Sequence, residues 1–225
     1  MKHSIRYFTA LTALLLALSC LLSACSDAPT KLTESNGVFR NKSGSLAYVR
    51  ARDSYYAITL GEAQAVITAD DADNIPLYAL IGAADGLLAD QSLYVYKPEN
   101  VELPTLKELG VTQITLYQYT DIRTNHRPMA VLKSAEEVAD LVRLATEGEK
   151  IPVSTVREDY NVRLELLFLS DSEQGLGIML EYRKFPTDVN GYGTNFLYDT
   201  DALCYIPVGD TLEQYFIGDE EADTE

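Results

Sequence analysis

Three hydrophobic patterns follow one another along this chain. The first is an apolar run from Phe8 to Leu22, built on Leu11, Leu14, Leu15, Leu16, Leu18, Leu21 and Leu22. The second is a series of short runs with a period of two, which predicts half-buried strands. Leu46–Arg50, Tyr55–Leu60, Ala63–Ile67 and Leu93–Tyr96 belong to it, with turns expected at Asp53-Ser54, Gly61-Glu62 and Asp90-Gln91. Pro76–Ile81 is too short for periodicity to choose between strand and helix. The third pattern has the helical period and occurs once. Val138, Leu141, Val142 and Ala145 line one face, behind an S-x-x-E capping box at Ser134 and Glu137, and Gly148 ends the segment.

The period-two pattern continues on both sides of that helix. Val111–Tyr119 predicts a strand with Ile114 and Leu116 on one face, and Met129–Leu132 a shorter one. Val162–Leu169 and Leu176–Arg183 predict an antiparallel hairpin, with Val162, Leu164, Leu166 and Phe168 on a shared face. Strands over Asn195–Tyr198 and Ala202–Ile206 and a short helix capped by Asp210 complete it. Leu103–Gly110 reads as a helical turn. This order predicts an α+β fold, mainly antiparallel β-sheet with one principal helix packed on it. A smaller β-rich subdomain over 38–102 precedes the α+β part at 103–217, and an acidic tail follows at 218–225.

The opening apolar run is too short to span a membrane, which takes roughly 20 residues. Lys2, His3 and Arg6 before it make a positive n-region, so residues 1–24 read as an export signal. Leu22, Ser23 and Ala24 lead directly to Cys25, where the sequence turns abruptly polar. This stretch resembles the lipobox of bacterial lipoprotein precursors. The resemblance implies cleavage before Cys25, a diacylglyceryl group on its thiol, and Leu22, Ser23 and Ala24 as the signal-peptidase recognition residues. A competing cysteine, Cys20, follows Ala17-Leu18-Ser19, and a leucine at −2 fits that pattern less well. Ser26–Gly37 is polar apart from Leu32, so residues 25–37 read as the lipidated cysteine and a flexible tether.

Charge narrows the list of partners. The signal holds Lys2 and Arg6 and no acid, so its removal takes 18 basic residues to 16 against 34 acidic ones, a net of −18. Such a charge repels nucleic acid and anionic headgroups, leaving acyl chains on Cys25 as the expected membrane attachment. The expected location is the extracytoplasmic face of the cell membrane, or the outer membrane of a two-membrane host. Of three cysteines only Cys204 would remain free, so no internal disulfide is expected.

Candidate chemistry is sparse. The mature chain's one histidine, His126, sits in a loop, and counting excludes a histidine-rich zinc site. Cys204 lies in an apolar strand near Asp199, Asp201 and Asp210, a setting that raises a thiol pKa and points to a core residue. Asp70-Asp71-Ala72-Asp73-Asn74 lacks the glycine and terminal glutamate of an EF-hand and reads as a solvated turn, as does Asp199-Thr200-Asp201. Gly175-Leu176-Gly177 and Gly191-Tyr192-Gly193 read as turns rather than dinucleotide loops. No catalytic residue, metal or cofactor is expected. The chain has 15 Tyr and no Trp, and Tyr94 with Tyr96, and Tyr117 with Tyr119, each share a strand face. If exposed, these faces would offer a surface to an envelope protein, peptide or glycan. The sequence therefore points to a surface lipoprotein with a non-catalytic binding or accessory domain. The alternative is a carboxylate-dependent hydrolase of envelope glycans or peptides, which requires two close acids in a cleft.

Overall fold

A computed structural model describes residues 28–68, 74–118, 128–156, 160, 162–171 and 175–215. Cys25 and its recognition residues, the Asp70–Asp73 acids, Tyr119, His126 and the acidic tail lie outside the described residues. Lys31–Glu225 form one compact unit.

The fold is α+β and mostly strand. In chain order the strands are β1 (Thr30–Ser35), β2 (Val38–Arg40), β3 (Ala47–Arg50), β4 (Tyr55–Ala57), β5 (Leu60–Thr68), β6 (Ile75–Leu80), β7 (Leu88–Ala89) and β8 (Val95–Pro98). β9 (Gln113–Gln118) and β10 (Ala130–Leu132) precede helix α1 (Ala135–Glu147). β11 (Ile151–Pro152), β12 (Val162–Leu169), β13 (Leu176–Lys184), β14 (Asn195–Asp199) and β15 (Cys204–Pro207) follow, and a 3₁₀ helix spans Gly209–Tyr215.

The first half is not the open sheet expected of it. Seven strands close into a barrel in the order β1-β2-β3-β8-β7-β6-β5. Its interior holds Leu32, Tyr48, Ala65, Ile67, Leu77, Leu88 and Tyr96. Two expectations are corrected here. Gly61-Glu62 is no turn but part of β5, where the register against β6 shifts twice between Leu60 and Ala65. Such irregularities increase local twist and bend a strand, which helps a sheet curl until its edges meet. The expected tether is strand from Thr30 onward, with Leu32 fully buried and its carbonyl accepting the Thr68 hydroxyl at 3.1 Å. A lone apolar residue among polar ones is enough when the other face of the strand meets water.

The second sheet runs β10-β9-β12-β13-β14-β15-β11. α1 lies on the face carrying Leu164, Leu166, Phe168, Ile114, Leu116, Leu180 and Leu197, and contributes Val138, Leu141 and Ala145 to that core. The Ser134 hydroxyl caps α1 by accepting from the Glu137 amide at 3.5 Å. The Glu137 carboxylate accepts the Tyr215 hydroxyl at 3.1 Å, tying the terminal 3₁₀ helix to the first turn of α1.

The opposite face is buried as well. Eight of the nine residues of β13 are buried, so its odd-numbered side chains must also leave water. Toward the barrel, Leu167, Leu176 and Met179 join Tyr56, Ala57, Leu80 and Leu87 in a common core. Toward the other end the face turns polar. Glu181 binds Arg163 and Arg183 together, with Arg163 Nε at 2.9 Å and Arg183 Nη2 at 2.8 Å from Oε2. Directly opposite neighbours in this register are Arg163 with Arg183 and Glu165 with Glu181. Like charges face each other across the strands, and the diagonal Arg163–Glu181 pair offsets the repulsion. Arg183 lies 3.7 Å above the Tyr198 ring centroid and donates to the Tyr205 hydroxyl at 2.7 Å, in a setting that includes Phe185 and Phe196.

Candidate functional site

The two halves meet along one edge of β13. β12 occupies the other edge throughout, whereas this edge is divided between two partners. β4 pairs with Leu176–Ile178 and β14 with Glu181–Lys184. β4 thus sits in the chain among barrel strands and pairs with the second sheet. Glycines at and just before the start of β13 leave room for the packing around this junction. A Cβ at Gly177 would fall 2.8 Å from a Leu167 methyl, and one at Gly175 2.4 Å from the Ile81 carbonyl oxygen. Gly177 therefore lies in a strand rather than the turn expected of it.

A cleft of about 670 Å³ opens where β4 and β14 divide, within the size range of small-molecule sites. The gap between the two strands is bridged by Ser54. Its carbonyl accepts the Met179 amide at 2.7 Å, and its hydroxyl makes a short hydrogen bond to Asp201 Oδ2. Asp199 Oδ1 accepts the amides of Asp201 at 3.0 Å and Ala202 at 2.9 Å, which fixes the β14–β15 turn. The Tyr55 hydroxyl donates to the Pro104 carbonyl at 2.9 Å and holds the 104–109 turn against the cleft. Burial pushes the Tyr55 pKa up, and nearby Arg52 opposes that rise. Within the turn, the Thr105 amide and hydroxyl both donate to the Glu108 carboxylate, holding its pKa below the ordinary glutamate range. The expected helical turn at Leu103–Gly110 is present as an i→i+4 bond from Leu109 N to Thr105 O, stopped by Gly110 at φ +65°.

Three cations border this cleft: Arg52 before β4, Lys107 in the turn, and Lys150 just after α1. Lys107 reaches Glu147 at 3.5 Å across open surface. Arg52 and Lys150 are exposed and have no ion-pair partner among the described residues. In a chain whose acids outnumber its bases 34 to 18, Arg52 and Lys150 stand in one cleft without an ion-pair partner among the described residues. Of the two acids there, Asp199 accepts the turn amides and Asp201 accepts the Ser54 hydroxyl.

The tyrosines do not form one platform. Tyr96 is only 5% exposed, packs edge-on against Phe39 at 5.4 Å, and donates to the buried Asp90 carboxylate. Burial and that carboxylate push its pKa up to about 12. Its strand face turns into the barrel, so it cannot serve the exposed surface that the spacing allowed. Tyr94 is half-buried beneath the Arg50 guanidinium, 3.8 Å from its ring centroid. Tyr117 is half-buried against the core shared by the halves, and burial raises its pKa.

Cys204 is buried in the α1 core as expected. Burial and then Asp199 push its thiol pKa up, while Lys150 opposes them. Among the described residues, no group of three or more His, Cys, Asp or Glu side chains is arranged to hold a metal ion. No described helix is long and apolar enough to cross a membrane.

The cleft cations were missed from sequence because Arg52, Lys107 and Lys150 are separated by long stretches and share no local motif. Their scarcity in an acidic chain was the signal that could have marked them. No protein family matches this chain, and neither does any curated protein or solved structure.

Proposed function

We propose that this chain is an extracytoplasmic bacterial lipoprotein, held by acyl chains on Cys25, whose body binds a small anionic ligand in the cleft between β4 and β14. The anchor rests on the lipobox-like Leu22-Ser23-Ala24-Cys25 stretch and the positive n-region before it. The observation that carries the binding reading is the pair of exposed cations, Arg52 and Lys150, bordering a cleft of ligand size without ion-pair partners among the described residues. The body's role is binding rather than catalysis, because Asp199 and Asp201 hold backbone and Ser54 in place instead of standing free for proton transfer. The other close acids, Glu165 and Glu181, are buried within the sheet and open on no cleft described above.

Two measurements test the parts separately. In cells fed a labelled fatty acid, Cys25→Ala should abolish lipid labelling, and continued labelling would assign the anchor to Cys20. Anions should raise the unfolding midpoint of the body, by about 2.7 kcal/mol at a hundredfold excess over Kd. The double variant Arg52→Gln/Lys150→Gln should lose that stabilisation, and an unchanged response would remove the cleft as the site.

A further inference from the structure

The cleft does not end at the turn that walls it. A second furrow of about 590 Å³ runs along α1 beyond that turn, and the two share Leu106, Lys107 and Thr146 in their walls. The furrow is apolar where the first cleft is polar: Val111, Val138, Ala139 and Val142 line it. Its charged rim is again mostly cationic, with Lys133, Arg143 and Lys107 against Glu147. Arg143 is engaged by Asp140 at 3.2 Å and Lys107 by Glu147, whereas Lys133 is exposed and has no ion-pair partner among the described residues. Lys107, shared by both walls, pairs at the surface with Glu147 of the second.

A polar compartment bordered by Arg52 and Lys150 thus adjoins an apolar trough. A simple inorganic anion would use only the first, and a neutral hydrocarbon only the second. We propose that the joined groove takes an amphiphilic anion, with a carboxylate or phosphate head at Arg52 and Lys150 and a single apolar chain laid along Val142 and Ala139. This inference rests on the reading of the cleft as an anion site and adds the chain that follows the head. Charge complementarity selects the head, and apolar burial at about 0.8 kcal/mol per methylene selects the tail.

The test uses the body from Ser26 onward, since the barrel, both sheet faces and all four apolar cores lie within the unit that begins at Lys31. Calorimetric titration compares acetate, hexanoate and decanoate, then decyl phosphate and decyltrimethylammonium, each below its micelle concentration. Affinity should rise about two- to fourfold per methylene from hexanoate to decanoate, the upper value being full burial. Decanoate or decyl phosphate should bind at least tenfold tighter than decyltrimethylammonium, and the tighter of the two identifies the head. Ala139→Glu puts a carboxylate on an exposed helical position in the trough and should weaken decanoate at least tenfold while leaving acetate unchanged. Equal affinity for acetate and decanoate would overturn the amphiphile and leave the anion cleft standing. Failure of every anion would overturn both readings, and equal binding of decyltrimethylammonium would overturn the role of charge.

Discussion

The barrel and the second sheet bury their interiors by different means. Away from the β6–β8 side that packs on β13, the barrel turns one face inward and leaves the other to water, so strands such as β1 need only isolated apolar residues. Its buried carboxylate, Asp90, is held locally by the amides of Ser92 and Tyr94 and by the Tyr96 hydroxyl. The second sheet has α1 on one face and the barrel with Ile151, Val156 and Tyr160 on the other, so both sets of side chains leave water. Its charged residues cannot turn outward and must satisfy one another across strands. Closure lets a sheet keep its polar residues wet, whereas covering both faces forces them into pairs.

The same chemical change should therefore cost the two halves different amounts. Glu181→Gln removes the charge that holds two guanidinium groups, one of them only 6% exposed, and should destabilise by about 3–5 kcal/mol in denaturant titration. Asp90→Asn keeps an oxygen for the two backbone amides and should cost about 1 kcal/mol. Equal costs would break the distinction. Between these values, Leu32→Ala should cost about 3 kcal/mol through the cavity it leaves inside the barrel. A negligible loss would show that β1 contributes nothing to closure.

The smallest effect concerns pH. The Lys184 ammonium, 2.7 Å away, holds the Glu213 pKa below its ordinary 4.5, with burial opposing and the Asn195 and Tyr182 side chains adding to the lowering. A carboxyl with a depressed folded-state pKa gives stability that is complete above the unfolded value and lost as pH falls through the folded one. The unfolding midpoint should thus decline below pH 4.5, and Lys184→Met should flatten that decline. An unaltered slope would assign the acid sensitivity elsewhere.

Much of this was legible from spacing alone. The two-residue period located β9, β12 and β13, and Ser134 with Val138, Leu141 and Ala145 located α1 with its buried face. These features depend on neighbours within a few residues. Barrel closure depends on accumulated twist and on the bulges in β5, which no local period encodes. The transfer of β4 depends on β13 offering it an edge roughly 120 residues later, and the glycines at that edge, Gly175 and Gly177, resemble ordinary turn residues in sequence. The cleft was hidden for the same reason, since it exists only because β4 and β14 share an edge.

That shared edge also sets an order of events for a chain made from its N-terminus. Tyr56 pairs with Gly177, roughly 120 residues later, while the strands before and after β4 pair within the barrel. Until β13 has emerged, β4 has only an isolated bridge from Tyr56 to Tyr94, and pairings as distant in sequence as that with β13 close slowly. The early half therefore waits, with the Tyr56 and Ala57 core uncovered, until the last third of the protein arrives to complete it. During this interval an unpaired strand is most open to a wrong partner.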